Sequence, residues 1–206
     1  MASFETAEAV EAADKSAQDR VAVFSSGAGV TIAVADGAGG MSGGAEAADA
    51  VIAGIGRAAG TLSGDRGWAE ALARIDRQIE EDPLAGMCAA VVVELTPEGI
   101  TGASAGDVQA WIMDGDEAVD LTRARIRKPL MGSGIAMPVQ FYHGALTGTL
   151  LAATDGLFDY AKREDIIRAS RESGLKSLPG RLIELARPAS GRLWDDIGLA
   201  VCRKAR

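Results

Sequence analysis

The chain has 206 residues, with 21 Lys plus Arg against 29 Asp plus Glu, a net charge of −8, two cysteines and one histidine. At 48% hydrophobic and 24% charged, this is the composition of a globular protein with one good core, so a single domain over residues 1–206 is expected. The acidic balance argues against nucleic-acid and membrane partners, which need Lys and Arg on the contact face. One histidine and two cysteines cannot build the Cys/His shells that zinc prefers, which leaves a hard, oxygen-bound cation as the metal to consider.

The first residues, MASFETAEAVEAADKSAQ, read as a polar, Ala/Glu-rich lead-in, acidic where a signal peptide is basic. No window approaches the ~18 apolar residues of a membrane span. The expectation is a cytoplasmic protein whose two thiols, Cys88 and Cys202, are free and buried in apolar runs.

Residues 21–24 and 30–35 are apolar, β-branched runs separated by Ser-Ser-Gly-Ala-Gly, a hairpin signal. Residues 44–59 carry Ala48, Val51, Ile52 and Ile55 at helical spacing, and residues 68–79 repeat the pattern with Leu72, Ile75 and Ile79. The period then changes to strands at 87–95, 100–105, 108–113 and 118–121, whose short connections predict antiparallel pairing of neighbours. Residues 122–138 read as an irregular loop, 139–142 and 150–154 as strands, 164–170 and 178–187 as helices, and 197–202 as a closing strand. Strands grouped in this way predict an α+β layered sandwich rather than a parallel doubly wound sheet.

Asp36, Asp107, Asp155 and Asp195 each adjoin an apolar strand beside a glycine, another acid or a turn, and Asp19 precedes a further strand. Asp-Gly is ordinary turn chemistry when taken singly. Several such strand ends brought to one edge would make an oxygen cage for Mg²⁺ or Mn²⁺, and a glycine after the aspartate would permit a sharp turn and a close carbonyl.

The segment TIAVADGAGGMSGGAEAAD, followed by LLAATDGLFDY and then WDDIGLAV, resembles the metal-dependent protein phosphatases, the PPM family of type 2C Ser/Thr phosphatases, in a compact bacterial form. The resemblance runs in the right order from about Asp19 to Val201. It implies a four-layer α/β/β/α sandwich of two antiparallel sheets flanked by helices. It also implies two ions of Mn²⁺ or Mg²⁺, with Asp36 bridging them, the Gly37 carbonyl on one, and Asp155 and Asp195 completing the site. Asp19 matches an early aspartate acting at the same site mainly through water, and Asp107 the ligand of a third, weaker ion. The implied activity is removal of phosphate from phosphoserine and phosphothreonine in proteins, opposite a Ser/Thr kinase, by a water activated between two metals. Asp36, Asp155, Asp195 and Asp19 are its catalytic residues.

Several positions depart from the family pattern. Asp14 stands where members often carry a phosphate-gripping arginine, so either the adjacent Lys15 substitutes or the contact is absent. Gly-Thr-Thr has become Gly86-Met87-Cys88, the final Asp-Asn is Asp195-Asp196, and Ala38 replaces a histidine of eukaryotic members. The flap that many bacterial members insert before the Thr154-Asp155 segment is short or missing. His143 is either a general acid or a surface and packing residue. The run Arg123-Ala-Arg125-Ile-Arg127-Lys128 is either a solvated loop or, if extended, a row of arginines for a phosphorylated or acidic partner, with Arg123 and Arg125 as candidate substrate contacts. These departures keep a second function open, a pseudophosphatase that binds or scaffolds phosphoproteins without turnover.

Overall fold

The computed structural model describes residues 4–27, 29–38, 42–61 and 67–205. In chain order the elements are β1 (Phe4–Glu11), β2 (Arg20–Ser26), β3 (Gly29–Gly37), α1 (Gly44–Ala58), α2 (Trp68–Glu80), β4 (Cys88–Leu95), β5 (Ile100–Ala105), β6 (Gln109–Asp114), β7 (Glu117–Asp120) and β8 (Val139–His143). There follow β9 (Thr149–Ala153), α3 (Asp155–Phe158), α4 (Arg163–Glu172), α5 (Leu178–Ala186) and β10 (Ile197–Lys204). One five-stranded sheet has the order β1-β10-β9-β6-β7 and the other the order β2-β3-β4-β5-β8, with every pairing antiparallel. The layers are those of the expected sandwich.

Alternation along each central strand builds three apolar layers from one sequence. Val30, Ile32 and Val34 of β3 join Val91 and Val93 of β4 and Ala110, Leu150 and Ala200 of the other sheet in the space between the sheets. The intervening residues, Ala33 and Ala35 of β3 and Ala90 and Val92 of β4, meet Ala47, Ala48, Val51 and Ile55 of α1 and Leu72, Ile75 and Ile79 of α2. On the opposite outer face, Leu151, Leu199 and Val201 receive Ile166 of α4 and Leu182 of α5. Cys88 and Cys202 are free and buried, and burial pushes both thiols up, Cys202 to about 12.

Three features differ from the sequence reading. The lead-in contains β1, paired along its whole length with β10 from Phe4↔Lys204 to Glu11↔Ile197. Its apolar face is mostly alanine, and its glutamates suit an outer strand, where charge discourages edge-to-edge association, so the periodic signal was weak. Asp155 opens a single helical turn, α3, that the sequence reading did not include. The strands β5 and β6 are not a pair: they lie in different sheets, and Gly106, at φ 90°, turns the chain across the sandwich. An added Cβ there would lie 2.3 Å from the Ala89 side chain, so this crossing has no room for one.

Residues 121–138 contain no helix or strand and are tied down from α2. Asp76, only 1% exposed, accepts backbone N–H groups of Gly132 at 2.6 Å, Gly134 at 3.2 Å and Ala136 at 2.9 Å. Met131 is seated beneath, bridged to Cys88. Replacing Asp76 by Ala would strand these donors, each worth about 1–3 kcal/mol when buried and unpaired. Asp76→Ala is therefore expected to lower the thermal midpoint and to accelerate amide exchange at 132–136 before any strand amide is affected. Equal acceleration throughout the sheets would contradict a local clamp.

Candidate metal centre

The two crossings between sheets place the acids. The segment 12–19 leaves β1 in one sheet and enters β2 in the other, bringing Asp19 to the edge of the sandwich, and the β5–β6 crossing brings Asp107 to the same edge. Asp36 lies at the end of β3, Asp155 follows β9, and Asp195 precedes β10. These five line one cavity of about 210 Å³ together with Gly37, Gln18, Ala38, Ala89, Lys128, Leu130 and Asp196. Carboxylate oxygens of Asp36, Asp107 and Asp155 all lie within 4.8 Å of one another.

The glycines that follow Asp36 and Asp155 are demanded by close approach, not by a left-handed turn; neither has a positive φ. A Cβ on Gly37 would lie 2.7 Å from the Gly44 backbone at the start of α1, and one on Gly156 would lie 2.0 Å from the Asp196 carbonyl oxygen. The second contact presses the start of α3 against the segment that carries Asp195, so Asp155 and Asp195 converge because residue 156 has no side chain. Gly43, at φ 86°, and Gly44 likewise sit tight against neighbouring backbone, whereas Gly39, Gly40 and Met41 of the same glycine-rich run lie outside the described residues.

Asp196 holds the loop of the first acid. Its Oδ1 accepts the Ala13 N–H at 2.8 Å and its Oδ2 the Gln18 N–H at 2.7 Å. Both carboxylate oxygens are thus spent on the β1–β2 connection immediately before Asp19. In the sequence Asp196 stands only as a departure from Asp-Asn, because nothing local distinguishes a carboxylate that ligates from one that holds a distant loop.

The acids lack sufficient compensating charge. Asp19 is 3% exposed and its Oδ2 meets no hydrogen-bond partner. Burial, and then the charges of Asp196 and Asp195, push its carboxyl up to about 7 against the opposing effect of the Thr154 hydroxyl and the Gly198 N–H beside it. Burial and the neighbouring Asp19 and Asp155 push Asp36 up to about 9. Asp155 is raised by burial and by Asp107, and Asp195 by burial against the opposing Asp196 N–H. Two cations stand near: Arg127 pairs with Asp107 at 3.1 Å, which raises the guanidinium pKa, and Lys128 lines the cavity. An oxygen-only donor set with a buried, unpartnered carboxylate oxygen fits a hard divalent cation.

The cationic candidates are distributed differently. Lys15 lies on the exposed part of segment 12–19 and does not line this cavity. Beside it, the Asp14 carboxylate accepts the N–H and hydroxyl of Ser16, which hold its pKa below the usual carboxylate range. Arg123, Arg125 and His143 line a second cavity. Lys128, which the sequence showed only as the end of a basic run, is the one described lysine or arginine in the wall of the acidic cavity.

No protein-family profile matches the chain, and no curated protein does. Solved structures do match. A bacterial serine phosphatase aligns with a TM-score of 0.85 at 17% identity, covering 100% of both chains. The Ser/Thr phosphatase Stp1 from Staphylococcus aureus aligns at 0.82 and 16% identity, covering 100% of this chain and 96% of that one. The catalytic domain of the Ser/Thr phosphatase PstP, in complex with two manganese ions, aligns at 0.75 and 17%, covering 100% of both. The fold is that of the bacterial serine/threonine protein phosphatases, the family whose motifs the sequence resembles. Among the described residues, no helix is long and apolar enough to cross a membrane.

A carboxyl with a higher pKa folded than unfolded, where a free aspartate titrates at about 3.9, binds its proton more tightly when folded. The folded state is then favoured at low pH and loses ground as pH rises, until the folded-state pKa is passed. With Asp19 at about 7 and Asp36 at about 9, the thermal midpoint of metal-free protein is expected to fall steadily from about pH 5 to about pH 9. Mn²⁺ should flatten that slope, and Asp36→Asn should raise the metal-free midpoint at about pH 8, by about 2–4 °C per kcal/mol of repulsion removed. A slope unchanged by metal and by Asp36→Asn would refute mutual repulsion as its cause. Asp196→Ala, which frees the loop before Asp19, is expected to weaken Mn²⁺ binding in calorimetry by about 10–100-fold while the far-ultraviolet circular dichroism spectrum is retained.

Proposed function

We propose that the protein is a metal-dependent phosphomonoesterase that removes phosphate from phosphoserine and phosphothreonine in proteins, as a cytoplasmic enzyme opposing a Ser/Thr kinase. One observation carries the reading: Asp19, Asp36, Asp107, Asp155 and Asp195, from separate strand ends, line one cavity, and an oxygen of Asp19 is buried there without a partner. The shared fold with PstP, whose structure holds two manganese ions, supports the same cofactor here.

In this reading Asp36, Asp155, Asp195 and Asp19, with the Gly37 carbonyl, hold two ions of Mn²⁺ or Mg²⁺, and Asp107 serves a third. Such ions supply an acidified water nucleophile and neutralise charge on the phosphoryl oxygens. The chain itself positions the acids on rigid strand ends, through the Gly37 and Gly156 contacts and the Asp196 clamp, so little reorganisation is needed when substrate arrives. Lys128 places a positive charge in the cavity wall for the phosphoryl group, whereas Lys15, exposed on the segment before Asp19 and outside that wall, is left as a proposed contact for the substrate beyond the phosphoryl group. No histidine is at hand for the departing oxygen, because His143 lines the other cavity. The cysteines are buried with raised pKa values, which suits a reaction without a protein nucleophile.

A second reading, a phosphoprotein-binding module without turnover, is favoured by Asp14, which occupies the arginine position and is bonded to Ser16. Hydrolysis of p-nitrophenyl phosphate with Mn²⁺ separates the two. Wild type is expected to turn over, and Asp36→Asn and Asp155→Asn to lose about 100-fold or more in kcat. No wild-type turnover, or equal rates in all three proteins, would sink the catalytic reading.

A further inference from the structure

The larger cavity, about 410 Å³, lies away from the acids, between the outer strands of the two sheets. Residues 119–125, continuing from β7, form one side, and β8 forms the other. Neither β7 nor β8 has a strand partner on its outer side among the described residues. Two polar atoms in the lining are buried and without a partner. Ser104, on β5, is 1% exposed and its Oγ has no hydrogen-bond partner; Nε of Arg125 is buried and equally without an acceptor.

Arg125 is fixed in place. Its Nη1 donates to Asp120 Oδ2 at 3.0 Å and to the Thr122 carbonyl at 3.2 Å. The other Asp120 oxygen accepts the Thr122 N–H and hydroxyl. The one acid in the lining is therefore already engaged, while Arg123 adds an exposed positive charge. In a chain of net charge −8, this is a local excess of positive charge around unpartnered hydrogen-bonding groups. Tyr142, 62% exposed, and Val119, 48% exposed, provide apolar flanks.

Two stretches of chain lead from the cleft to the acidic cavity. Ser104 pairs with Val139, and Asp107 lies three residues beyond Ser104, a span of at most about 10 Å. Residues 123–125 line the cleft, and Lys128 and Leu130 line the acidic cavity. A chain lying along β8 from His143 towards Val139 is thus aimed at the acids.

We propose that this cleft docks an extended acidic peptide segment, added along the free edge of β8 with a carboxylate on Arg125, Ser104 and Arg123. This deepens the phosphatase reading, on which its biological meaning rests, by naming the substrate class: phosphoproteins carrying Asp or Glu about three to six residues from the phosphorylated position, at about 3.3 Å per residue.

The test uses binding, so it does not depend on turnover. A fluorescein-labelled, unphosphorylated peptide containing an Asp-Glu cluster is titrated with the full chain by anisotropy, beside a matched Asn-Gln peptide. The acidic peptide is expected to bind about tenfold or more tightly, and to weaken as salt rises. Arg123→Glu should remove most of that preference, whereas the same charge change on α5, Arg181→Glu, should not. Arg125→Gln is a second variant, and since it also breaks the Asp120 pair, its melting curve is recorded with its affinity. Amides of Val139–His143 should gain exchange protection when the peptide binds. Equal affinity for the two peptides, a preference surviving Arg123→Glu, or inorganic sulfate binding without any peptide preference overturns the proposal. Acidic-peptide binding in a protein that never hydrolyses p-nitrophenyl phosphate would sustain the docking site while the phosphatase reading falls.

Discussion

Carboxylates crowded at one edge of the sandwich, Asp19 buried and Asp36 and Asp155 partly so, set the conditions for the rest of this molecule. Asp19 and Asp36 face each other and Asp155 in a setting where burial alone opposes ionisation, and each neighbouring charge opposes it further. Such an arrangement is unfavourable unless a scaffold imposes it or a cation neutralises it. The two packed sheets provide the first condition. The pairs β3–β4 and β9–β10 lie in the interior of the sheets, with apolar layers on both faces, and the strand ends cannot retreat without unpacking them. The oxygen-only donor set provides for the second.

Close packing without side chains makes this convergence possible. Gly37 admits the start of α1, Gly156 admits the Asp196 carbonyl, and Gly106 carries the chain from one sheet to the other. The alanines at 33, 35, 47, 48 and 90 let α1 settle low on its sheet, which holds the end of β3 where Asp36 sits. A second set of contacts works at longer range. Asp196 secures the segment before Asp19, and Asp76 secures residues 132–136, so two carboxylates act as acceptors for backbone groups while their neighbours crowd the cavity.

The irregular stretch 121–138 joins the two cavities of the molecule. Its first residues hold Arg123 and Arg125 at the open side between the sheets, its middle pairs Arg127 with Asp107 and carries Lys128 to the acids, and its last turn is fastened to α2 through Asp76. The basic run is therefore divided in function by geometry, although in the sequence it is one cluster. In an acidic chain this basic segment concentrates attraction for anionic partners along one side.

The sequence by itself determined the elements with strong periodicity, β3, β4, α1 and α2 among them, because burial on both faces of a strand or on one face of a helix writes its period into the residue order. It also singled out the aspartates at strand ends, which the fold brings to one cavity, because their order resembles a known pattern. Tertiary structure alone decided that β5 and β6 belong to different sheets, since a two-residue turn looks the same whether it closes a hairpin or crosses a sandwich. It decided that β1 is a strand, because eight backbone pairings with β10 outweigh a weak alanine pattern. It decided, too, that Asp196 grips backbone 178 and more residues distant and that Arg123 and Arg125 face a different cavity from Lys128. Contacts between residues far apart in the chain leave no local period, and a carboxylate's role depends on which of them it meets.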